Sequence, residues 1–367
     1  MYPLNLYVLF KRSKTCLFGF TFVVAMSTFL LIFEDTRPTI QSLVSETHKQ
    51  IKNFQDNLKV AEEKRLKIDE RYLNLLGFTG NPRLYPSAVW QNTSLPVIVT
   101  YMFSGQNMLV IGFIKNIERH LPDHTILIYN LSFQSYYLNS VYNHCNSSSC
   151  MVIDYNLSVF PNHVSKESFH AFRPIIIQDA LNRVGAVWFL ENNLRLTMNN
   201  ISMLIHTALK PKLKNHPSSS GILGWSTRRA VSSVSHLKMF EYFRVAVDSF
   251  FFLRMVDVSS LLLFNTNFVH YNIMLPWVQC SLLQDCIAPI GSQPNGCHFD
   301  KKPLYRYAGC HAYDASALSI ILGLNYLYNE SLYTHASREP YFYNITATAA
   351  LLEYKQLKEN ATEASVV

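Results

Sequence analysis

Apolar and polar positions change period several times along this chain. From Thr15 to Phe33 the side chains are almost all apolar, TCLFGFTFVVAMSTFLLIF. A helix over this stretch rises roughly 29 Å, about the thickness of a bilayer's hydrocarbon core. The run is therefore expected to be a membrane-spanning segment. Next, Ile51, Phe54, Leu58, Ala61, Arg65, Ile68, Tyr72 and Leu75 recur at alternating spacings of three and four. That pattern predicts a helix over Glu46–Leu76. It would be either a short coiled-coil stem that pairs two copies of the chain or an amphipathic helix lying on the body. Gly80, Pro82 and Pro86 then mark a boundary within 77–94.

Beyond Leu95 the pattern becomes continuous apolar runs separated by helical periods. PVIVTYMF (96–103), HTILIY (124–129), MVIDY (151–155) and AVWFL (186–190) read as buried strands. Residues 108–120 and 168–184 read as helices, the second entered through Pro174, since proline is tolerated in a first helical turn. Uninterrupted apolar strands alternating with helices predict an α/β domain with a largely parallel central sheet. Ligands in such sheets sit at the carboxyl ends of the strands. The expected organisation is a tail (1–14), a membrane anchor (15–33), a stem (34–94), a body (95–345) and a C-terminal tail (346–367).

Charge orients this plan. Lys11, Arg12 and Lys14 precede the apolar run, and Glu34 and Asp35 follow it. The positive-inside rule then puts the short N-terminus in the cytosol and the body in the lumen of the secretory pathway. The run exceeds a signal peptide's apolar core, and its one small-x-small triplet, Ala25-Met26-Ser27, lies inside it, so an uncleaved anchor is expected. Eight N-x-S/T sequons downstream agree, at Asn92, Asn130, Asn146, Asn156, Asn200, Asn329, Asn344 and Asn360. So do six cysteines beyond the run, Cys145, Cys150, Cys280, Cys286, Cys297 and Cys310, an even number for an oxidising compartment. Cys145 and Cys150 suit a small loop; the other four leave three pairings open. The formal net charge of +7 is dispersed, without a basic stripe interleaved with aromatics, so nucleic acid is not an expected partner.

Two clusters carry candidate chemistry. The strand 186–190 runs into Glu191-Asn192-Asn193, where a carboxylate and an amide oxygen could hold Mg²⁺ or Mn²⁺ against a diphosphate. Further on, GCHAYDASAL (309–318) places His311 and Asp314 three apart, a spacing that would share one face of a starting helix. The pair suits ligation or proton handling, or Asp314 simply caps the helix. Lys301, Lys302 and Arg306 just upstream, and Arg173 on the earlier helix, are cations that could meet a diphosphate. No G-x-S-x-G, G-x-x-x-x-G-K-[ST], G-x-G-x-x-G or H-E-x-x-H motif occurs, so the corresponding hydrolase, P-loop, dinucleotide and zinc-protease chemistries lack their signatures.

Over about residues 95–325 the chain resembles a family of glycosyltransferase-like type II membrane proteins expanded in nematodes and other invertebrates. The resemblance rests on ESFHAFRPIIIQDAL (167–181), VWFLENNLRL (187–196), SHLKMFEYF (235–243), LPWVQCSLLQDCIAPIGS (275–292) and CHAYDASAL (310–318). It implies a GT-A-like nucleotide-sugar transferase fold and transfer of a sugar from a nucleotide donor to a glycan or protein acceptor in the Golgi. GT-A enzymes usually place an Asp-x-Asp after the fourth strand to bind Mn²⁺, and the resembled family tends to Asp-x-Ser; Glu191-Asn192-Asn193 departs from both. Arg173 stands where the family often has Lys, whereas the His311…Asp314 pair matches the family pattern. Two readings follow: an active transferase using Glu191 and Asn193 for metal, Arg173, Lys302 and Arg306 for the donor diphosphate, and His311 and Asp314 for catalysis; or an inactive relative that binds glycan or scaffolds partners.

Overall fold

The computed structural model describes residues 68–364 except 81, 87–94, 133–137, 211–219, 301, 336 and 339–340, together with 21–22, 24–28, 48–49 and 52. The chain divides into two compact units, Met1–Lys67 and Ile68–Val367. Among the described residues no helix is long and apolar enough to cross a membrane; most of the 15–33 run lies outside them. Most of the helix expected over 46–76 lies outside the described residues. Ile68 and Asp69 are not helical, and Asp69 caps a new helix, α1 (Glu70–Leu75), its carboxylate accepting the Arg71 N–H at 3.0 Å.

The second unit is an α/β fold. Its strands are β1 (Val97–Met102), β2 (Ile126–Asn130), β3 (Cys150–Asp154), β4 (Ala186–Leu190), β5 (Leu194–Leu196), β6 (Ile222–Ala230), β7 (Arg254–Phe264), β8 (Thr334–His335) and β9 (Phe342–Asn344). The main sheet runs β3-β2-β1-β4-β7-β6-β8, and β5 pairs with β9 separately. β1 is parallel to β2 and β4, and β2 to β3. β7 is antiparallel to both neighbours, and β8 parallel to β6, so β7 alone reverses the common direction. The largely parallel sheet expected from the apolar runs is therefore present, with one reversed strand. Residues 97–102 and 186–190 are buried throughout, as strands covered on both faces must be.

Alternation sorts the strand side chains into two cores. Val97, Val99 and Tyr101 join one with Phe172, Ile176 and Leu318; Ile98 and Met102 join the other with Val110, Ile114 and Trp188. The first core is covered by α4 (Phe172–Val184), α7 (Leu275–Leu282) and α9 (Tyr313–Asn325), whose residues are among its members. The second is covered by α2 (Asn107–His120) and α5 (Ser202–Leu209), with α10 (Ala347–Ala364) against α2. α3 (Leu138–His144), α6 (Leu237–Tyr242) and α8 (Gln284–Ile287) are shorter helices of the same unit. Leu76, just past α1, is fully buried, and its carbonyl accepts from Gln178 Nε2 (3.1 Å) and Asn182 Nδ2 (2.5 Å) on α4.

Disulfides join Cys145–Cys150, Cys280–Cys286 and Cys297–Cys310, which settles the pairing that spacing left open. Among the sequons, Asn130 is buried and donates to Asp154 Oδ1 at 2.6 Å, so it is no surface acceptor. Asn146, Asn156, Asn200, Asn329, Asn344 and Asn360 are exposed.

The segment expected as a C-terminal tail carries α10, and Gly112 on α2 is the point of closest approach. A Cβ there would stand 2.5 Å from Arg195 Nη2 and even nearer the Glu353 carboxylate. Arg195 is held by several hydrogen bonds and cannot swing away. Gly112→Ala is therefore expected to destabilise by about 1–3 kcal/mol although alanine is the better helix former. Chemical denaturation of the full chain in detergent checks this; unchanged or raised stability contradicts it.

Candidate functional site

The chain leaves β1 towards β2 and β3 on one side and returns to place β4 on the other, so the sheet's winding reverses between β1 and β4. Crevices open at the carboxyl ends of strands at such reversals. Glu191 follows β4 at that rim. Because β7 runs antiparallel, with Leu190 opposite Ser260, its early residues extend past the rim and wall the crevice. A cavity of about 370 Å³ opens there. Glu191 lines it at the rim, Asp257 and Ser259 line it from β7, and the start of α9 with Ser168, His170 and Arg173 lines other sides.

Arg173 is the hub. It is largely buried on the first turn of α4, and its guanidinium bridges two carboxylates: Nη2 pairs with Glu191 Oε1, and Nη1 reaches Asp314 Oδ2 at 3.1 Å. Tyr101 at the end of β1 donates its hydroxyl to the same Glu191 oxygen at 3.3 Å. Three segments far apart in sequence thus meet on one cation. Burial opposes the guanidinium's charge, but Asp314 and Glu191 outweigh it and hold Arg173 charged, its pKa above the ordinary value. Asp314 is 1% exposed. Burial pushes its pKa up, to about 6, against the lowering pull of Arg173 and of the Ala315 N–H. Two carboxylates sharing one guanidinium leave a negative charge over, which is why burial prevails at the more enclosed one. Arg173 Nε and Asp314 Oδ1 are buried with no hydrogen-bond partner of good geometry among the described residues. Trp277 Nε1 donates to the Asp314 carbonyl at 2.9 Å and fixes where α9 begins.

His311 lines the same cavity, but its ring is committed elsewhere. Nδ1 accepts the His236 N–H at 3.1 Å, and Nε2 lies 3.1 Å from the Ile287 carbonyl, to which it donates. Those partners fix the neutral tautomer protonated on Nε2. Burial lowers its pKa to about 4. His311 also precedes α9, whose first residue is Tyr313, so it shares no helix face with Asp314, and neither ring nitrogen bonds that carboxylate. His311 and Asp314 thus line one cavity without bonding each other, and the His311 ring is a neutral bridge between backbone groups.

Three further residues expected at the site lie outside the cavity lining. Asn193 does not line the cavity, and its carbonyl accepts the Ile345 N–H at 2.8 Å. Lys302 and Arg306 are exposed and also lie outside the cavity lining. Of the two donors expected for Mn²⁺ or Mg²⁺, Glu191 lines the cavity and Asn193 does not. Glu191's bonded oxygen is taken by Arg173 and Tyr101, Asn193 is elsewhere, and no group of three His, Cys, Asp or Glu side chains among the described residues could hold a metal. A guanidinium at that oxygen would repel a dication.

The sequence reading missed Tyr101, His170, Asp257 and Tyr313. Tyr101 was legible as a strand-end residue; Asp257 lies on a strand whose reversed direction no local pattern announces. His170 and Tyr313 line the cavity with positive φ, 51° and 42°, a region non-glycine residues rarely occupy and which gathers at functional sites. Burial, with Arg173 adding to it, lowers the His170 pKa to about 3, so its ring is neutral. Asp257 pairs with Arg338 at 2.8 Å.

No family model matches the chain, and no curated protein matches it in sequence. Solved structures similar to it include the galactosyltransferase LgtC in complex with donor and acceptor sugar analogues, at 12% identity and TM-score 0.39, covering 66% of this chain and 74% of that one. Mouse xyloside xylosyltransferase 1 is similar at 9% identity and TM-score 0.38, covering 66% and 84%. Core-mannan synthase A from Aspergillus fumigatus, in an Mn/GDP form, is similar at 10% and 0.39, covering 70% and 82%. With TM-scores below 0.5, these likenesses carry no assignment.

Removing Arg173 strands two enclosed carboxylates. Arg173→Met is expected to cost about 3–5 kcal/mol, with partial recovery on adding Glu191→Gln and Asp314→Asn. Urea denaturation of the three chains reads this, and a loss below 1 kcal/mol would show the cluster to be loosely held. Asp314 also predicts a pH slope. Its folded pKa, about 6, lies above its unfolded value of 3.8, so between them the folded state binds the extra proton. Relative to Asp314→Asn, the unsubstituted protein should gain stability as pH falls from about 7 to about 5. A flat or opposite difference contradicts the assignment.

Proposed function

We propose that this chain is a glycosyltransferase-like protein that takes a nucleotide sugar at the crevice between β1 and β4. The observation that carries the proposal is the meeting of Arg173, Glu191 and Asp314, from three separate segments, at a cavity on the sheet's carboxyl rim. Position and chemistry support it together. A sugar offers several hydroxyls that both donate and accept. Carboxylates of Glu191 and Asp257 accept from such hydroxyls, and the Arg173 guanidinium lines the same cavity. In transfer, an acceptor hydroxyl oxygen bonds the anomeric carbon and gives its proton to a lining carboxylate, while the bond from that carbon to the diphosphate breaks. Arg173 is the one cationic side chain in the described lining, and it would meet the charge left on the diphosphate. The sheet order and the sequence segments at 167–196 and 275–318 support a GT-A-like assignment.

The wider reading is a type II membrane protein of the Golgi or another secretory compartment, its body luminal. The apolar run at 15–33, its flanking charges and the disulfides support this. The acceptor is a glycan or a protein, and the heptad-like spacing within 51–75 supports pairing of two copies through the stem.

A second reading is binding without turnover. It is favoured by the commitment of the lining's ionisable groups: Glu191 and Asp314 to Arg173, Asp257 to Arg338, and His311 to backbone.

For the first reading, the full chain in detergent should gain several degrees of melting temperature with at least one of a panel of UDP and GDP sugars. The gain should survive EDTA, because the protein's own cation is a guanidinium. Sugar release or transfer with that donor selects the transferase, and binding alone selects the second reading. No shift with any donor, glycan or free sugar refutes both.

A further inference from the structure

A charge pair outside the cavity ties the acidic turn to the far end of the chain. Arg195 on β5 is 1% exposed, an unusual place for arginine. Its Nη1 donates to the carbonyls of Asn192 and Leu194, both at 2.9 Å, and its Nη2 to the carbonyl of Leu109 at 3.1 Å. The remaining donors face Glu353 on α10: Nη2 reaches Oε2 at 2.8 Å, and Nε lies 3.1 and 3.2 Å from the two oxygens. The Asn192 carbonyl belongs to the residue just after Glu191. Backbone pairing reinforces the tie. β5 pairs with β9 as Leu194↔Asn344 and Leu196↔Phe342, and the Ile345 N–H bonds the Asn193 carbonyl. On the other side, Asn192 Nδ2 donates to the Tyr101 carbonyl and to Gln106 Oε1, both at 2.9 Å.

We infer that the C-terminal segment 341–364 is a brace that positions Glu191, with Arg195 and Glu353 as positioning residues for the crevice. The turn 191–193 has few bonds of its own. Glu191 N–H bonds the Ser259 carbonyl, and Leu194 N–H bonds the Glu191 carbonyl; Arg173 and Tyr101 hold the Glu191 carboxylate, and the backbone beyond it is supported by Arg195, β9 and Asn192's side chain. Glu353 holds the guanidinium that in turn holds the turn's backbone. Without Glu353, Arg195 is a buried cation lacking its counter-charge, and it must either draw in water or swing out, releasing Asn192. A mere surface helix would show no such consequence at a site some 160 residues earlier in the chain.

The brace rests in part on the proposed function of the crevice, so its test reads the turn directly. Hydrogen exchange is followed in the full chain in detergent for peptides covering 187–196, in the unsubstituted protein, Glu353→Gln, Glu353→Ala and, as a control on the same helix, Gln356→Ala. Exchange at 191–196 should rise about tenfold in Glu353→Ala, less in Glu353→Gln, and not at all in Gln356→Ala. Where a donor sugar binds, its affinity should fall in the same order. Faster exchange confined to α10 with an unchanged turn overturns the brace. A responsive turn in a protein that binds no sugar keeps the brace and removes the proposed function.

Discussion

One guanidinium set between two carboxylates governs the crevice. Arg173 is buried on α4, Glu191 ends β4, and Asp314 opens α9. Ion pairs in such places rarely add net stability over an apolar filling, since desolvation cancels most of the attraction. Their value is specification. With Arg173 present, the carboxyl rim of β4 and the start of α9 have one mutual arrangement in which both carboxylates face a counter-charge. The helix start is pinned again by Trp277, and the rim by Tyr101.

Around this cluster the fold supplies position and enclosure. Parallel strands carry Tyr101 and Glu191 to the same rim, and the reversed β7 contributes Asp257 and Ser259 because its early residues lie where its neighbours end. The cavity pairs acceptor oxygens with a single charged donor and two neutral histidines. That balance fits a polyhydroxylated ligand better than a bare dication, whose oxygen ligands would have to be taken from a guanidinium.

Much of the first half of this body was legible in the sequence. AVWFL became β4 with its expected limits, and the runs at 96–103, 124–129 and 151–155 became β1, β2 and β3 within two residues. Parallel strands covered on both faces are uniformly apolar, so they announce themselves. Convergence of Arg173, Glu191, His311 and Asp314 on one cavity follows from ligand sites lying at strand ends. The other expected site residues are placed by contacts that spacing does not announce. Asn193 is drawn away by pairing of its carbonyl with Ile345, a contact made across 152 positions that no spacing encodes. His311 carries the right chemistry at the right place, yet two backbone partners, from His236 and Ile287, consume both nitrogens. Lys302 and Arg306 lie in the loop closed by Cys297–Cys310, and that loop puts them outside the lining. The direction of β7 and the docking of α10 depend on long-range pairing and were invisible to periodicity.

Arg173 Nε–H, buried on a side chain that lines the cavity and without a partner among the described residues, is the most direct reporter of a ligand there. Its ¹⁵N–¹H resonance, assigned by loss in Arg173→Lys, can be followed as nucleotide sugars are titrated into the full chain in detergent. Saturable movement of that resonance, unaffected by EDTA, is the expected result. A nucleotide sugar that binds while leaving the Arg173 resonance still would place the ligand elsewhere and contradict the role given to this crevice.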